Sequence, residues 1–69
     1  MGKIHEVSSA TMEVQSYDEK GNLHCKALAK IDREHRALYH HFRVPPFQEN
    51  LRLLKPGRYV NVIIQIMED

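Results

Sequence analysis

The sequence predicts a mainly β fold with one short helix, in which a β-meander is followed by the helix and then by a final strand. Three observations lead there. Polar and apolar residues alternate with period two over long stretches, clusters of turn-forming residues separate those stretches, and a single segment near residue 50 switches to helical spacing. At 69 residues the chain is one β-rich domain, 1–69.

The first two strands are read at "TMEVQSY", from Thr11, and "LHCKALAKI", from Leu23, with "DEKGN" supplying the turn between them. An even-numbered loop puts Met12 and Val14 on the same face as Cys25, Ala27, Ala29 and Ile31. An odd one would put them beside Lys26 and Lys30, so burial of one face selects the even loop. The next turn falls in "DREHR". Setting Ile31 opposite Leu38 places Ala29 opposite His40, Ala27 opposite Phe42 and Cys25 opposite Val44, so that each large side chain meets a small one.

Pro45 and Pro46 end the third strand because they lack an amide hydrogen, and Pro46 can open a helix where that hydrogen is unused. Phe47, Leu51 and Leu54 recur at i, i+4 and i+7 as one apolar stripe. Lys55, Pro56 and Gly57 stop the helix. In "RYVNVIIQIM" the alternation sets Val60, Val62, Ile64 and Ile66 on one side of the last strand. The expected core or dimer contacts are Phe42, Val44, Phe47, Leu51, Leu54, Val60, Val62 and Ile64.

A chain this small buries only about 60% of the surface its unfolded form exposes, so it needs a staple or a partner. Its one cysteine, Cys25, has no internal disulfide partner and there is no Cys-x-x-Cys pair. A homodimer is therefore expected. The lone thiol suits a reducing compartment. No apolar run approaches the ~18 residues of a membrane span, and "MGKIHEV" lacks the apolar core of a signal peptide. Glu6 stands where a myristoylation site wants Ser or Thr. A cytoplasmic protein without membrane contact is expected. Ten Lys plus Arg against nine Asp plus Glu give a net charge of +1, so a nucleic-acid surface requires that the cations cluster.

They do so in the reading above. Arg33 and Arg36 sit in the "DREHR" turn, while Lys26, Lys30, Tyr39, His41 and Arg43 share the outward face. Phosphate contacts are expected from Lys30, Arg33, Arg36 and Arg43, with His41 reaching a base edge. An ordinary solvated sheet face, partly neutralised by Glu13 and Glu34, accounts for the same residues. No metal site is expected within one chain, because His24 and Cys25 point to opposite faces, as do His40 and His41. His35 or His41 could meet a symmetry mate across a dimer. Cys25 reads as a small buried hydrophobe, and Asp18, Glu19, Asp32 and Glu34 read as turn residues. No catalytic residue and no cofactor is expected.

The residues "FRVP" at Phe42 to Pro45 and "LLKPGRYVNV" at Leu53 to Val62 resemble the core of the SpoVT/AbrB (MazE-like) swapped-hairpin family, with the family's spacing between Pro45 and Lys55. The chain departs from that pattern at His40-His41, where Gly-Arg is usual, and at Arg58, where Asp is usual. About 40 residues precede the motif instead of about ten. The resemblance implies an obligate, interleaved dimeric barrel that binds double-stranded DNA as a transcription regulator or antitoxin. A small OB or SH3-like barrel is the alternative fold. A protein-interaction module is the alternative function, as an accessory subunit of a larger assembly such as a nucleic-acid-processing complex.

Overall fold

The computed structural model describes residues 2–68. Four strands and one helix follow in the order β1 (Lys3–Tyr17), β2 (Asn22–Ile31), β3 (Glu34–Arg43), α1 (Gln48–Leu53) and β4 (Tyr59–Glu68). The strands form one antiparallel sheet in the order β3-β2-β1-β4. The expected meander is its first three strands. The last strand returns to pair with β1, and the sheet is open: β3 and β4 are its two edges, so no barrel closes within the chain.

Val14 lies opposite Cys25, which places Met12, Val14 and Cys25 on the common face expected from parity. The connection between the paired residues Tyr17 and Leu23 is odd-numbered, not even as expected, and the bulge between Val14 and Ser16 is what restores the expected face. The connection is held by Asp18. Its Oδ1 accepts from the amides of Lys20 and Asn22 at 2.9 and 3.0 Å, and its Oδ2 accepts from Asn22 Nδ2 at 3.0 Å. The Asn22 amide, its side chain and Lys20 together hold the Asp18 carboxyl below the usual carboxylate range. A bulge between Val14 and Ser16 then turns Tyr17 to the apolar face, opposite Leu23.

The β2–β3 register differs from expectation. Ile31 pairs with Glu34 rather than Leu38, Ala27 with Leu38 rather than Phe42, and Cys25 with His40 rather than Val44. The offset is four residues, which keeps every side chain on its expected face. Its cause is the turn, which contains only Asp32 and Arg33 at φ +51° and +70°. Both values lie in the left-handed region that two-residue hairpins of the I′ type require. Arg36 consequently belongs to β3, not to the turn.

Between β3 and β4 the chain crosses from one edge of the sheet to the other. It is pinned at both ends: Val44 N donates to Gly21 O at 2.9 Å, Gly57 N donates to Val14 O at 2.9 Å, and Val14 N donates to Arg58 O at 2.7 Å. The helix opens at Gln48 with Phe47 as its N-cap, two residues later than the expected start at Pro46, and spans only six residues. Lys55 to Arg58 form a turn with Pro56 and Gly57 at its centre, Gly57 having φ +90° and Arg58 N donating to Lys55 O at 3.1 Å.

The core sits where all four strands meet. Met12, Val14, Leu23 and Cys25 are buried, with Tyr17, Phe42, Val44, Leu54, Val60 and Val62 packed around them. Leu51 is half-buried. Three residues expected as core or dimer contacts lie outside this core within one chain: Leu51, Phe47, which is 68% exposed, and Ile64, which is 58% exposed.

Beyond the base the sheet divides. β1 pairs with β2 only from residue 13 to residue 17, whereas β1 pairs with β4 from Lys3 to Glu13 and β2 pairs with β3 along its whole length. Two two-stranded arms therefore diverge from a four-stranded base. The result is a slab of 40 × 38 × 15 Å with a radius of gyration of 14.2 Å, against about 11 Å for a compact domain of this length.

Candidate nucleic-acid interface

The β2–β3 register sorts the hairpin into two unlike faces. On one, the pairs are Asn22 with Arg43, His24 with His41, Lys26 with Tyr39, Leu28 with Ala37, and Lys30 with His35. These ten positions hold three cations, three histidines, one tyrosine and no carboxylate. The other face carries Leu23, Cys25, Ala27 and Ala29 against Phe42, His40, Leu38 and Arg36. A net charge of +1 over the chain thus conceals a strongly one-sided hairpin. With a rise of about 3.3 Å per residue, the basic face extends about 26 Å from Asn22 to Lys30.

At the base of this face the groups are mutually arranged. The rings of His24 and His41 stack with centroids 4.7 Å apart. His41 Nε2 lies 3.2 Å from Asn22 Oδ1, and Arg43 Nη1 donates to the same oxygen at 3.2 Å. Asn22 is itself held by Asp18, so the loop chemistry orients Arg43 through one intermediary. Arg43 and Lys20 line a shallow depression of about 200 Å³ with Val44, Pro45 and Pro46. Two cations lining one depression bring together the charge that a phosphate contact uses.

At the fork between the arms, Lys26 and Tyr59 line a second depression of about 260 Å³ with Thr11, Glu13 and Leu28. Register carries one row across all four strands here: Tyr39, Lys26, Glu13, Tyr59. Both tyrosines are 71% exposed and flank a Lys26–Glu13 ion pair at 3.7 Å. Exposed tyrosines beside a cation can stack on bases or sugars.

Of the residues expected to contact nucleic acid, His41 and Arg43 lie on the basic face, Lys30 occupies its register position opposite His35, and Arg33 is at the hairpin tip. Arg36 is set apart from them. It lies opposite Ala29 on the apolar face, with Nη2 3.4 Å from Glu34 Oε2. Lys20 joins the site without any signal in the local sequence, because only the crossover brings Val44 and Pro45 beside the first turn. Cys25 is fully buried and burial raises its thiol pKa. It faces His40 in the register, but among the described residues no three His, Cys, Asp or Glu side chains come together as a metal-binding group. No helix among the described residues is long and apolar enough to cross a membrane.

Comparison of the chain with protein-family models, with characterised proteins and with solved structures returns no match. The site is therefore interpreted from its own chemistry.

Proposed function

We propose that this chain is a non-catalytic DNA-binding protein of the regulator or antitoxin-like kind, and that the basic face of the β2–β3 hairpin is its contact surface. The observation that carries this reading is the absence of any carboxylate among the ten register positions of that face, in a chain with almost equal numbers of acidic and basic residues. The form of the hairpin fits the ligand. A two-stranded ribbon is narrow enough for the major groove of duplex DNA, about 12 Å wide. Beyond residue 27 the β2–β3 arm is such a ribbon, tipped by Arg33. Lys26, Arg43 and Lys20, which line the two depressions at its base, supply further cations for phosphate contacts in this reading.

The test is fluorescence anisotropy of labelled duplex and single-stranded oligonucleotides over 50 to 200 mM salt, the range in which phosphate contacts weaken steeply. Duplex binding with a steep salt slope is expected, and Lys26→Ala/Arg43→Ala should lower the slope by about two. Preference for single strands would assign the tyrosine row as a stacking platform instead. No binding of either at low salt would leave the protein-interaction module, which exposed Ile4, Ile63 and Met67 favour, as the better reading.

A further inference from the structure

The β1–β4 arm exposes large apolar side chains on both of its faces, beside polar pairs such as Lys3 with Glu68 on one and Glu6 with Gln65 on the other. Ile64 and Ile66 are 58% and 51% exposed on one, and Ile4, Ile63 and Met67 are 62%, 49% and 77% exposed on the other. A ribbon standing in water ordinarily keeps one face polar, and a two-stranded ribbon alone is marginally stable. Ile64 and Ile66 continue the core face of Val60 and Val62 past the base, where nothing in one chain covers them. The charges nearby do not attract a charged ligand, since Lys3 pairs in register with Glu68 and His5 Nε2 lies 3.1 Å from Glu68 Oε2.

The amount of exposed surface fits a second copy of the chain. The chain exposes 5842 Å², whereas a compact monomer of 8.1 kDa exposes about 4,500 Å². The excess is about 1,300 Å² per chain. Two copies hiding that much would bury about 2,600 Å² together, within the range of roughly 2,000–5,000 Å² typical of obligate homodimers.

We infer that the β1–β4 arm is a dimerisation element, the arm of each copy packing along the apolar face of the β2–β3 hairpin of a second copy. Ile64 and Ile66 then pack on the partner's uncovered apolar face around Ala27, Ala29 and Leu38, and a two-fold axis repeats the contact. The basic face of β2–β3 stays outward, so the interface stands or falls independently of DNA binding.

Sedimentation velocity of the full chain at micromolar concentration is expected to give twice 8.1 kDa. Amides of residues 3–9 and 63–67 should exchange at least about tenfold more slowly at high protein concentration than at high dilution, which reads the interface without any substitution. Ile64→Glu/Ile66→Glu should abolish the dimer, and Lys26→Ala/Arg43→Ala should keep it. A folded single copy at micromolar concentration would overturn the inference. So would a dimer whose arm amides exchange at the same rate at both concentrations.

Discussion

The hydroxyl of Tyr17 lies 2.9 Å from the carbonyl oxygen of Val44 and 2.8 Å from that of Pro45, sharing its one proton between them. This joins β1 to the start of the crossover, 27 residues later in the chain. The bulge after Val14 is what turns Tyr17 toward that segment. Tyr17→Phe keeps the ring in the core but takes this donor from the Val44 carbonyl, whereas the Pro45 carbonyl still accepts from Phe47 N and Asn50 Nδ2. The expected loss is about 1–3 kcal/mol, measured as a lower urea midpoint with an unchanged slope.

The same segment touches Gly21, and here a side chain has no room. Gly21 has φ +88°, and a Cβ built on it would lie 2.6 Å from Val44 O. Gly57 has φ +90° with nothing within 4 Å of the corresponding position. Gly21→Ala therefore adds a backbone clash to the strain of left-handed geometry, whereas Gly57→Ala adds strain alone, about 1–2 kcal/mol. Thermal melts should rank Gly21→Ala as clearly the more damaging of the two.

At the hairpin tip, stability and function should separate. Arg33 holds φ +70°, a region where glycine is favoured and a long side chain is strained. Arg33→Gly is expected to raise stability by about 1 kcal/mol while weakening duplex binding by removing the cation at the end of the ribbon. Denaturation and anisotropy on the same preparation read both effects. A gain in stability with unchanged affinity would remove the tip from the DNA contact.

That arginine also explains which part of the fold the sequence conceals. Parity needs only the rule that one face is buried, so it places Met12, Val14 and Cys25 together and Lys26 with Tyr39 on the opposite side, whatever the loop lengths. Register needs the loop length. "IDRE" lacks the glycine that marks a two-residue turn, so a six-residue turn reads equally well and shifts the pairing by four. Arg36 leaves the expected site for that reason alone. The first half of β1 is hidden differently: a bulge between Glu6 and Ser8 interrupts the alternation in "KIHEVSSA". Val60, Val62, Ile64 and Ile66 are legible because nothing interrupts theirs. Lys20 and Arg43 meet through a crossover between distant strands, which no local pattern encodes.

Cys25 gives the fold an alkaline limit. It is fully buried, and burial raises its pKa above the ordinary thiol value of 9.0 by penalising the thiolate. Below that value both the folded and unfolded chains keep the proton, and the stabilisation is fully present. Above it the unfolded thiol ionises first. The unfolded state then binds fewer protons than the folded one, and stability falls with rising pH until the folded thiol also ionises. The slope from this group cannot exceed about 1.4 kcal/mol per pH unit. Urea midpoints of the parent chain should therefore decline from pH 9 upward more steeply than those of Cys25→Ala, which lacks the titrating group. Equal slopes would mean that other groups set the alkaline limit, and rapid labelling of the native thiol at neutral pH would show that the base of the sheet opens readily.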